Sequence, residues 1–236
     1  MRLLAIVFML GLGACTPVAI EQSGSAPSAT MQSPQDIPPR LSQREAVNNF
    51  EFVVRRVEPV AEQICSTRSQ QENCDFRIVV DSRPDQGVNA YQTLDRNGRP
   101  VIGFTVGLIS EARNRDELAF VMAHEAAHHI RGHIAQQQQN AALGGLLIGS
   151  LAQALGAADI EGAQRIGASV GARTYSKDFE LEADALGTQI AAAAGFDPLR
   201  GAEFFFRIPD PGDRFLGTHP PNADRLRTVQ RVAAGL

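Results

Sequence analysis

Four of the five histidines fall between residues 124 and 133, and two of them frame a glutamate: His124-Glu125-Ala126-Ala127-His128. On a helix, residues i and i+4 share a face, with Cβ atoms about 5–6 Å apart. Two imidazoles at that spacing can both reach one zinc ion, at Zn–N distances of about 2.0–2.1 Å. Glu125 follows the first histidine directly and points elsewhere. It can reach a water beside the ion but is badly placed as a third ligand. Two ligands and one base are the requirement for metal-assisted hydrolysis. The competing reading is a solvated helix face that happens to carry His and Glu. The flank Leu118, Phe120, Val121, Met122 and Ala123 argues against it, because such a helix enters a core before presenting the motif. A metal site needs that rigid, water-poor support. His129 and His133 repeat the i, i+4 spacing, but residue 130 is Ile, so no base accompanies them. They read as groups behind the ligands or on the surface.

A catalytic zinc takes a third protein ligand and keeps one position open. Carboxylates are available in Glu180-Leu-Glu182-Ala-Asp184. On a helix Glu180 and Asp184 share a face, while Glu182 points about 200° away. A ligand carboxylate with a second one a turn later supplies both a ligand and a partner for a histidine N–H. Without the histidine pair, the same residues would read as a solvated acidic stripe. His219, in Thr218-His219-Pro220-Pro221, is the one histidine outside the cluster. A loop histidine is ordinarily a surface group, and spacing alone leaves its role open.

The elements that must position these groups follow from patterning. Ser42-Gln-Arg-Glu45 is a capping box, followed by Val47, Phe50, Val54, Val57, Ala61 and Ile64 at helical spacing, with Pro59 predicted to kink or divide that helix. Short β-branched runs at Phe76–Val80, Val88–Leu94 and Pro100–Val106 read as strands, the last two joined by the turn Asp95-Arg-Asn97-Gly98. A strand beside a zinc helix can bind an extended peptide by main-chain pairing, or the sheet can simply cover the core. Asn114, Asp116 and Glu117 open the zinc helix, which the pattern runs to about His133, with Gly132 and Gln136–Gln139 marking its fraying end. Ala141–Ala158 carries no charge and reads as an apolar helix or hairpin that packs over the cleft or touches a membrane surface. Its frequent glycines and borderline length argue against a span. Ser176 is placed to cap a helix over Lys177–Ala194 that Gly195 ends, Asp197-Pro198 starts another, and a final helix begins near Asn222.

The chain has 236 residues, enough for one ordinary domain plus extras, and 44% of them are hydrophobic, enough for a core. A net charge of -4 gives no basic footprint, so nucleic acid is not expected as a partner. Residues 1–14 read as a signal peptide, with Arg2 before an apolar run too short for a membrane span. Leu12-Gly13-Ala14-Cys15 looks like a lipoprotein cleavage box, which would leave Cys15 lipidated; an ordinary secretory signal with a coincidental cysteine is the alternative. Thr16 follows rather than Asp, which points to the outer rather than the inner membrane of a bacterial periplasm. Residues 15–40 read as the lipidated cysteine and a disordered tether, and 41–236 as the folded domain. In an exported chain Cys65 and Cys74 are expected to form a disulfide, contributing at most about 3 kcal/mol through loop closure.

Several stretches together resemble the zinc metallopeptidase family that includes the HtpX and BepA proteases and the CAAX prenyl proteases, family 48 of the metallopeptidases. They are Val88-Asn89-Ala90, Thr105-Val106-Gly107-Leu108, Asp116–Val121, His124–His128 with His133, Tyr175–Asp184 and Thr218-His219-Pro220. Together they run from about residue 75 to 225. The resemblance implies an α+β, mainly helical, gluzincin-like domain with a small β-sheet beside the histidine helix. It assigns Glu180, four residues before the Asp of Ala183-Asp184, as the third ligand, rather than Glu182. It sets His219 near the metal as an extra ligand or transition-state donor, where, together with Tyr175, it would stabilise the oxyanion or block the open zinc position at rest. His129 and Lys177 depart from the family's usual aliphatic residue and arginine. The multiple membrane helices of HtpX and the prenyl proteases have no counterpart, which suggests a lipid-tethered member. The implied activity is a zinc metalloendopeptidase holding one Zn2+ through His124, His128 and Glu180, with Glu125 as base and Asp184 orienting a histidine. Its implied partners are unfolded or misfolded envelope proteins, the membrane through its lipid anchor, and envelope assembly machinery. The alternative is a client-binding assembly factor whose zinc site His219 keeps latent, with 141–158 capturing clients.

Overall fold

A computed structural model gives the fold and describes residues 38–68, 72–174, 176–207 and 221–236. The capping box forms as the sequence requires: the Ser42 N–H donates to Glu45 Oε2 at 2.9 Å, and the Glu45 N–H donates back to Ser42 Oγ at 3.3 Å. It opens helix α1 (Gln43–Arg68), whose buried stripe is Ala46, Phe50, Val53, Val57, Ala61 and Cys65. Pro59 does not divide this helix. It lies on the exposed face, where water can satisfy the carbonyl it orphans. A disulfide between Cys65 and Cys74 ties the end of α1 to the start of the sheet.

Three strands follow, β1 (Arg77–Asp81), β2 (Ala90–Leu94) and β3 (Pro100–Thr105), in the order β1-β3-β2. β1 runs parallel to β3, and β2 antiparallel. The Asp95–Gly98 turn makes the β2–β3 hairpin: the Gly98 N–H donates to the Asp95 carbonyl at 3.0 Å, and Asp95 Oδ1 accepts from the Asn97 and Arg99 N–H groups. Ile102 and Phe104 face the core, with Phe104 meeting Phe50 edge-on at 5.1 Å. β2 is left as a sheet edge.

Thr105 caps the short α2 (Val106–Glu111), and Asn114 caps α3 (Arg115–Ile130) by accepting from the Glu117 N–H at 3.0 Å. α3 is shorter than its pattern suggests. Gly132 turns the chain at φ +67° and His133 begins a separate helix, α4 (His133–Ala154), so Gln136–Gln139 lie inside a helix rather than at a fraying end. α5 (Ile160–Arg173), capped by Asp159, returns antiparallel to it. The two meet backbone to backbone. A Cβ at Gly144 would stand 2.2 Å from the Gly167 carbonyl oxygen, so only glycine permits this approach. The apolar stretch 141–158 is therefore mostly one arm of a helical hairpin. It packs chiefly against its partner arm rather than over the cleft. No helix among the described residues is long and apolar enough to cross a membrane.

α6 (Ser176–Ala193) lies across α3, and α7 (Pro198–Ala202), a 3-10 turn over Glu203–Phe206 and α8 (Asn222–Ala233) close the fold. Ser176 is the first helical residue of α6, and its hydroxyl donates back to the Arg173 carbonyl at 2.9 Å. Phe76, Phe104, Leu118, Met122, Leu186 and Ile190 fill the core between α1, α3, α6 and the sheet. The result is a mainly helical α+β fold with one three-stranded sheet.

Candidate metal centre

α3 is apolar nearly all round: Leu118, Ala119, Phe120, Met122, Ala123, Ala126 and Ala127 are buried. A helix of that kind runs through a core, and its polar residues are held where the packing puts them. On the opposing α6, Gly187 brings the backbones together, since a Cβ there would stand 3.0 Å from the His124 nitrogen. This contact sets Glu180, two turns earlier on α6, opposite the histidine pair.

The Nε2 atoms of His124 and His128 lie 3.1 Å apart. Glu180 Oε2 is 3.5 Å from His124 Nε2, and Glu180 Oε1 is 3.3 Å from His128 Nε2. The ligand atoms of a tetrahedral ion bound at about 2.0–2.1 Å lie about 3.3–3.4 Å from one another. The three residues therefore fit around one divalent ion, and their donor atoms converge within 4.8 Å. Two imidazoles and a carboxylate are also a donor set that zinc favours.

Behind this triangle stands a second layer. His124 Nδ1 donates to Asp184 Oδ1 at 2.9 Å, which favours the tautomer whose Nε2 could ligate an ion. Asp184 is itself gripped by Arg225, through Nε at 2.8 Å and Nη2 at 2.7 Å, and the guanidinium lies 3.7 Å over the Phe205 ring. Burial alone would push the Asp184 carboxyl up, but Arg225 and His124 hold it below the usual carboxylate range. Burial likewise opposes protonation of His124, yet its hydrogen bonds to Asp184 and Glu180 prevail and raise its pKa to about 10 without a metal. His128 has its own support: its Nδ1 lies 2.9 Å from Nδ1 of His133, whose ring stacks on Phe179 at 4.6 Å. Burial, then His128, lower the His133 pKa to about 3. A neutral His133 accepts the His128 N–H.

Glu125 is half-buried and lines a cleft of about 600 Å3 together with Ala90–Gln92 of the edge strand, Phe179, Phe204 and Phe205. Glu182 stays clear of the triangle. Its side chain is half exposed, 3.6 Å from His133 Nε2. His129 faces away, donating from Nε2 to the Asn73 carbonyl at 2.8 Å and meeting Phe76 edge-on. Cys15, Tyr175 and His219 lie outside the described residues.

Arg225 escaped the sequence reading. Its signal was a charged residue on the apolar stripe of an amphipathic helix, where Arg225, Thr228 and Val229 are all buried. Glu117 also has more than a capping role. It is fully buried, and it accepts from Arg207, the Arg113 N–H at 2.8 Å and Asn114 Nδ2 at 3.0 Å, fixing the start of α3.

Residues 51–233 match peptidase family M48. Curated relatives include the putative beta-barrel assembly-enhancing protease of Vibrio cholerae, 35% identical over 159 residues that cover 60% of this chain and 32% of the relative. The beta-barrel assembly-enhancing protease of Escherichia coli O157:H7 is 33% identical over 136 residues, covering 51% of this chain and 28% of the relative. That of Yersinia pestis is 32% identical over 136 residues, with the same coverage. The chain thus spans about a third or less of the length of these relatives. With the family match running over most of the chain and through a His-His-Glu cluster fit for a metal ion, the chain belongs to peptidase family M48, a family of metal-dependent peptidases.

Proposed function

We propose that this chain is a zinc endopeptidase of the bacterial cell envelope that cleaves unfolded or stalled envelope proteins. The observation that carries the reading is the convergence of His124, His128 and Glu180 beside Glu125 in a cleft bordered by a sheet edge. Zinc held by those three residues would supply Lewis acidity toward a carbonyl and make water acidic near neutral pH.

The rest falls to the chain's own groups. The Glu125 carboxylate takes a proton from water and returns it to the nitrogen of the leaving amine. Asp184, locked by Arg225, keeps the His124 proton on Nδ1, and His133 does the same for His128. Substrate is held by β2. The Thr105 N–H donates to the Asn89 carbonyl at 3.0 Å, and the Asp95 N–H to the Arg99 carbonyl at 2.9 Å. Antiparallel pairing alternates, so residues 89, 91, 93 and 95 face β3, and the main-chain groups of Ala90 and Gln92 point away from it. Those two residues line the cleft, and an extended peptide can pair with them as an added strand. The resemblance adds His219 as a donor to the developing oxyanion or as a resting plug, and Tyr175 acts with it.

The envelope assignment draws on the leader-like residues 1–14, on Cys15 as a lipid attachment site that favours the outer membrane, and on relatives named for enhancing β-barrel assembly. It makes unfolded β-barrel proteins and their assembly machinery the expected partners. The test is metal content and cleavage together. The purified chain should carry about one zinc and digest an unfolded protein; a chelator should abolish digestion, and added zinc should restore it. Digestion untouched by chelation would overturn the zinc reading. A zinc-loaded chain that binds unfolded protein without cutting it would favour the assembly-factor alternative.

A further inference from the structure

The cleft beside the histidine pair has one corner that the hydrolytic groups do not use. It lies where α4, α5 and α6 meet, and Ile134, Gln137, Arg173 and Phe179 line it. Ile134 and Gln137 are three residues apart on α4 and share a face. Arg173 is the last residue of α5, and its backbone is fixed on both sides. A Cβ at Gly171 would stand 2.1 Å from the Asn140 carbonyl oxygen, so the end of α5 lies directly against α4. The Thr174 N–H donates to the Val170 and Gly171 carbonyls at 3.1 Å, and the Ser176 hydroxyl donates to the Arg173 carbonyl. The side chain is not held in this way. Among the described residues the exposed Arg173 guanidinium makes no ion pair or hydrogen bond, and neither does the Gln137 carboxamide. Arg225, the other arginine that lines the cleft, is taken up by Asp184. A cation in the last turn of a helix suits the helix dipole, but the dipole does not require one that lines a cleft.

We propose that Arg173, with Gln137 beside it, takes a carboxylate of the substrate, so that the cleft selects chains carrying an acidic group close to the scissile bond. The inference rests on the peptidase cleft proposed above and adds a selectivity to it. A guanidinium offers paired N–H donors in a planar fork that matches a carboxylate, and a carboxamide adds further N–H donors. Because both groups are unengaged, a carboxylate entering the corner breaks no existing pair, whereas a substrate lysine there meets a like charge. Ile134 and Phe179 line the same corner, and apolar walls strengthen a charge pair relative to open water. The position follows from α6. Ser176 and Glu180 share a face and both line the cleft, about 6 Å apart along the helix axis. Arg173 is tied to Ser176, so its backbone stands about one turn from Glu180. With an extended chain rising about 3.3 Å per residue and the arginine side chain adding its reach, the acidic group falls about two to four residues from the bond cut. It has two sources, an Asp or Glu side chain and the free end of a chain.

The test uses zinc-loaded Glu125→Gln in the full chain, which should bind peptide without cutting it. It would be titrated with labelled unfolded peptides in which a single Glu, Gln or Lys is moved along an otherwise neutral sequence. Each peptide would be made with an amidated and with a free C-terminus, and wild type would be given the same set for cleavage. In the register that reaches the corner, Glu should bind about fivefold or more tighter than Gln, and Lys weaker, a preference that added salt erodes. Arg173→Lys should keep part of it, and Arg173→Gln should reduce it below about twofold. Arg173→Glu should invert it in favour of Lys, which a merely structural role for Arg173 would not produce. Arg165→Gln, at an exposed site earlier on α5, should keep the full preference. A preference among amidated peptides assigns the carboxylate to a side chain, and one that needs the free terminus assigns it to the chain end. Equal binding of the Glu and Gln peptides and of the free and amidated ones would overturn the inference. So would a preference that Arg173→Gln leaves intact, which would place the carboxylate on the metal. The two readings fail separately: cleavage without acidic preference removes this inference and leaves the peptidase standing, while an Arg173-dependent preference without cleavage by wild type does the reverse. Binding of no peptide at all would overturn both.

Discussion

Replacing Asp184 by alanine removes one carboxylate with two functions, and the structure separates their magnitudes. The side chain is fully buried and accepts from Arg225 at 2.8 and 2.7 Å and from His124 at 2.9 Å. Its loss removes the carboxylate that the buried Arg225 guanidinium hydrogen-bonds and leaves Glu180, 3.8 Å away, as its nearest paired counter-charge. Breaking a buried pair from one side costs about 3–5 kcal/mol, a large share of the about 5–15 kcal/mol that holds a domain together. The second effect falls on the metal. A ligand histidine that loses its N–H acceptor weakens metal binding about 10–100-fold. Urea unfolding of the metal-free protein, followed by circular dichroism, reads the first effect, and competition with a zinc chelator on the folded protein reads the second. Asp184→Asn, which keeps the volume and one acceptor, should lose less of both. Adding Arg225→Met to Asp184→Ala should recover part of the lost stability, because it removes the stranded charge and coupled neighbours are not additive. The reasoning is refuted if Asp184→Ala changes stability by less than about 1 kcal/mol, or if the two substitutions simply add.

Other outcomes follow from the same geometry. Glu180→Ala should abolish stoichiometric zinc while Glu182→Ala retains it, as read by metal analysis after gel filtration; the reverse pattern would discard the ligand choice. His133→Ala should weaken zinc binding about tenfold, and His133→Asn, which keeps an acceptor for the His128 N–H, should weaken it less. The pKa of His124, raised to about 10 in the metal-free chain, means that zinc uptake at pH 7 expels a proton, measurable by calorimetry in two buffers of different ionisation enthalpy. The sign for stability follows. A folded-state pKa above the unfolded value of about 6.5 gives stability that is full below pH 6.5 and lost as pH rises through about 10. The metal-free chain should therefore weaken across that window, and the zinc-loaded chain should not show this loss.

How much of this was legible in the sequence depended on range. Features closed within a few residues were readable: the Ser42–Glu45 box, the Asn114 and Asp197 caps, the Asp95–Gly98 turn, and the i, i+4 pairs His124/His128 and Glu180/Asp184. α5 was invisible because Gly162, Gly167 and Gly171 each cost a helix about 1 kcal/mol in propensity, and only its packing against α4 offsets that. Gly132 ends α3 as its residue type suggests, but the apolar pattern does not show that a new helix, rather than a fraying end, begins at His133. Arg225 grips a carboxylate 41 residues away, and no local spacing encodes such a pairing. His133 was placed behind the ligands or on the surface, and only the fold decides for the former.

The most direct test compares wild type with Glu125→Gln, both loaded with zinc, on an unfolded protein substrate. Wild type should cut it, and Glu125→Gln, with the same zinc content, should not, losing at least about 100-fold in rate as expected for a missing general base. Equal cleavage by the two, or none by a wild type carrying its full zinc, would contradict the central claim.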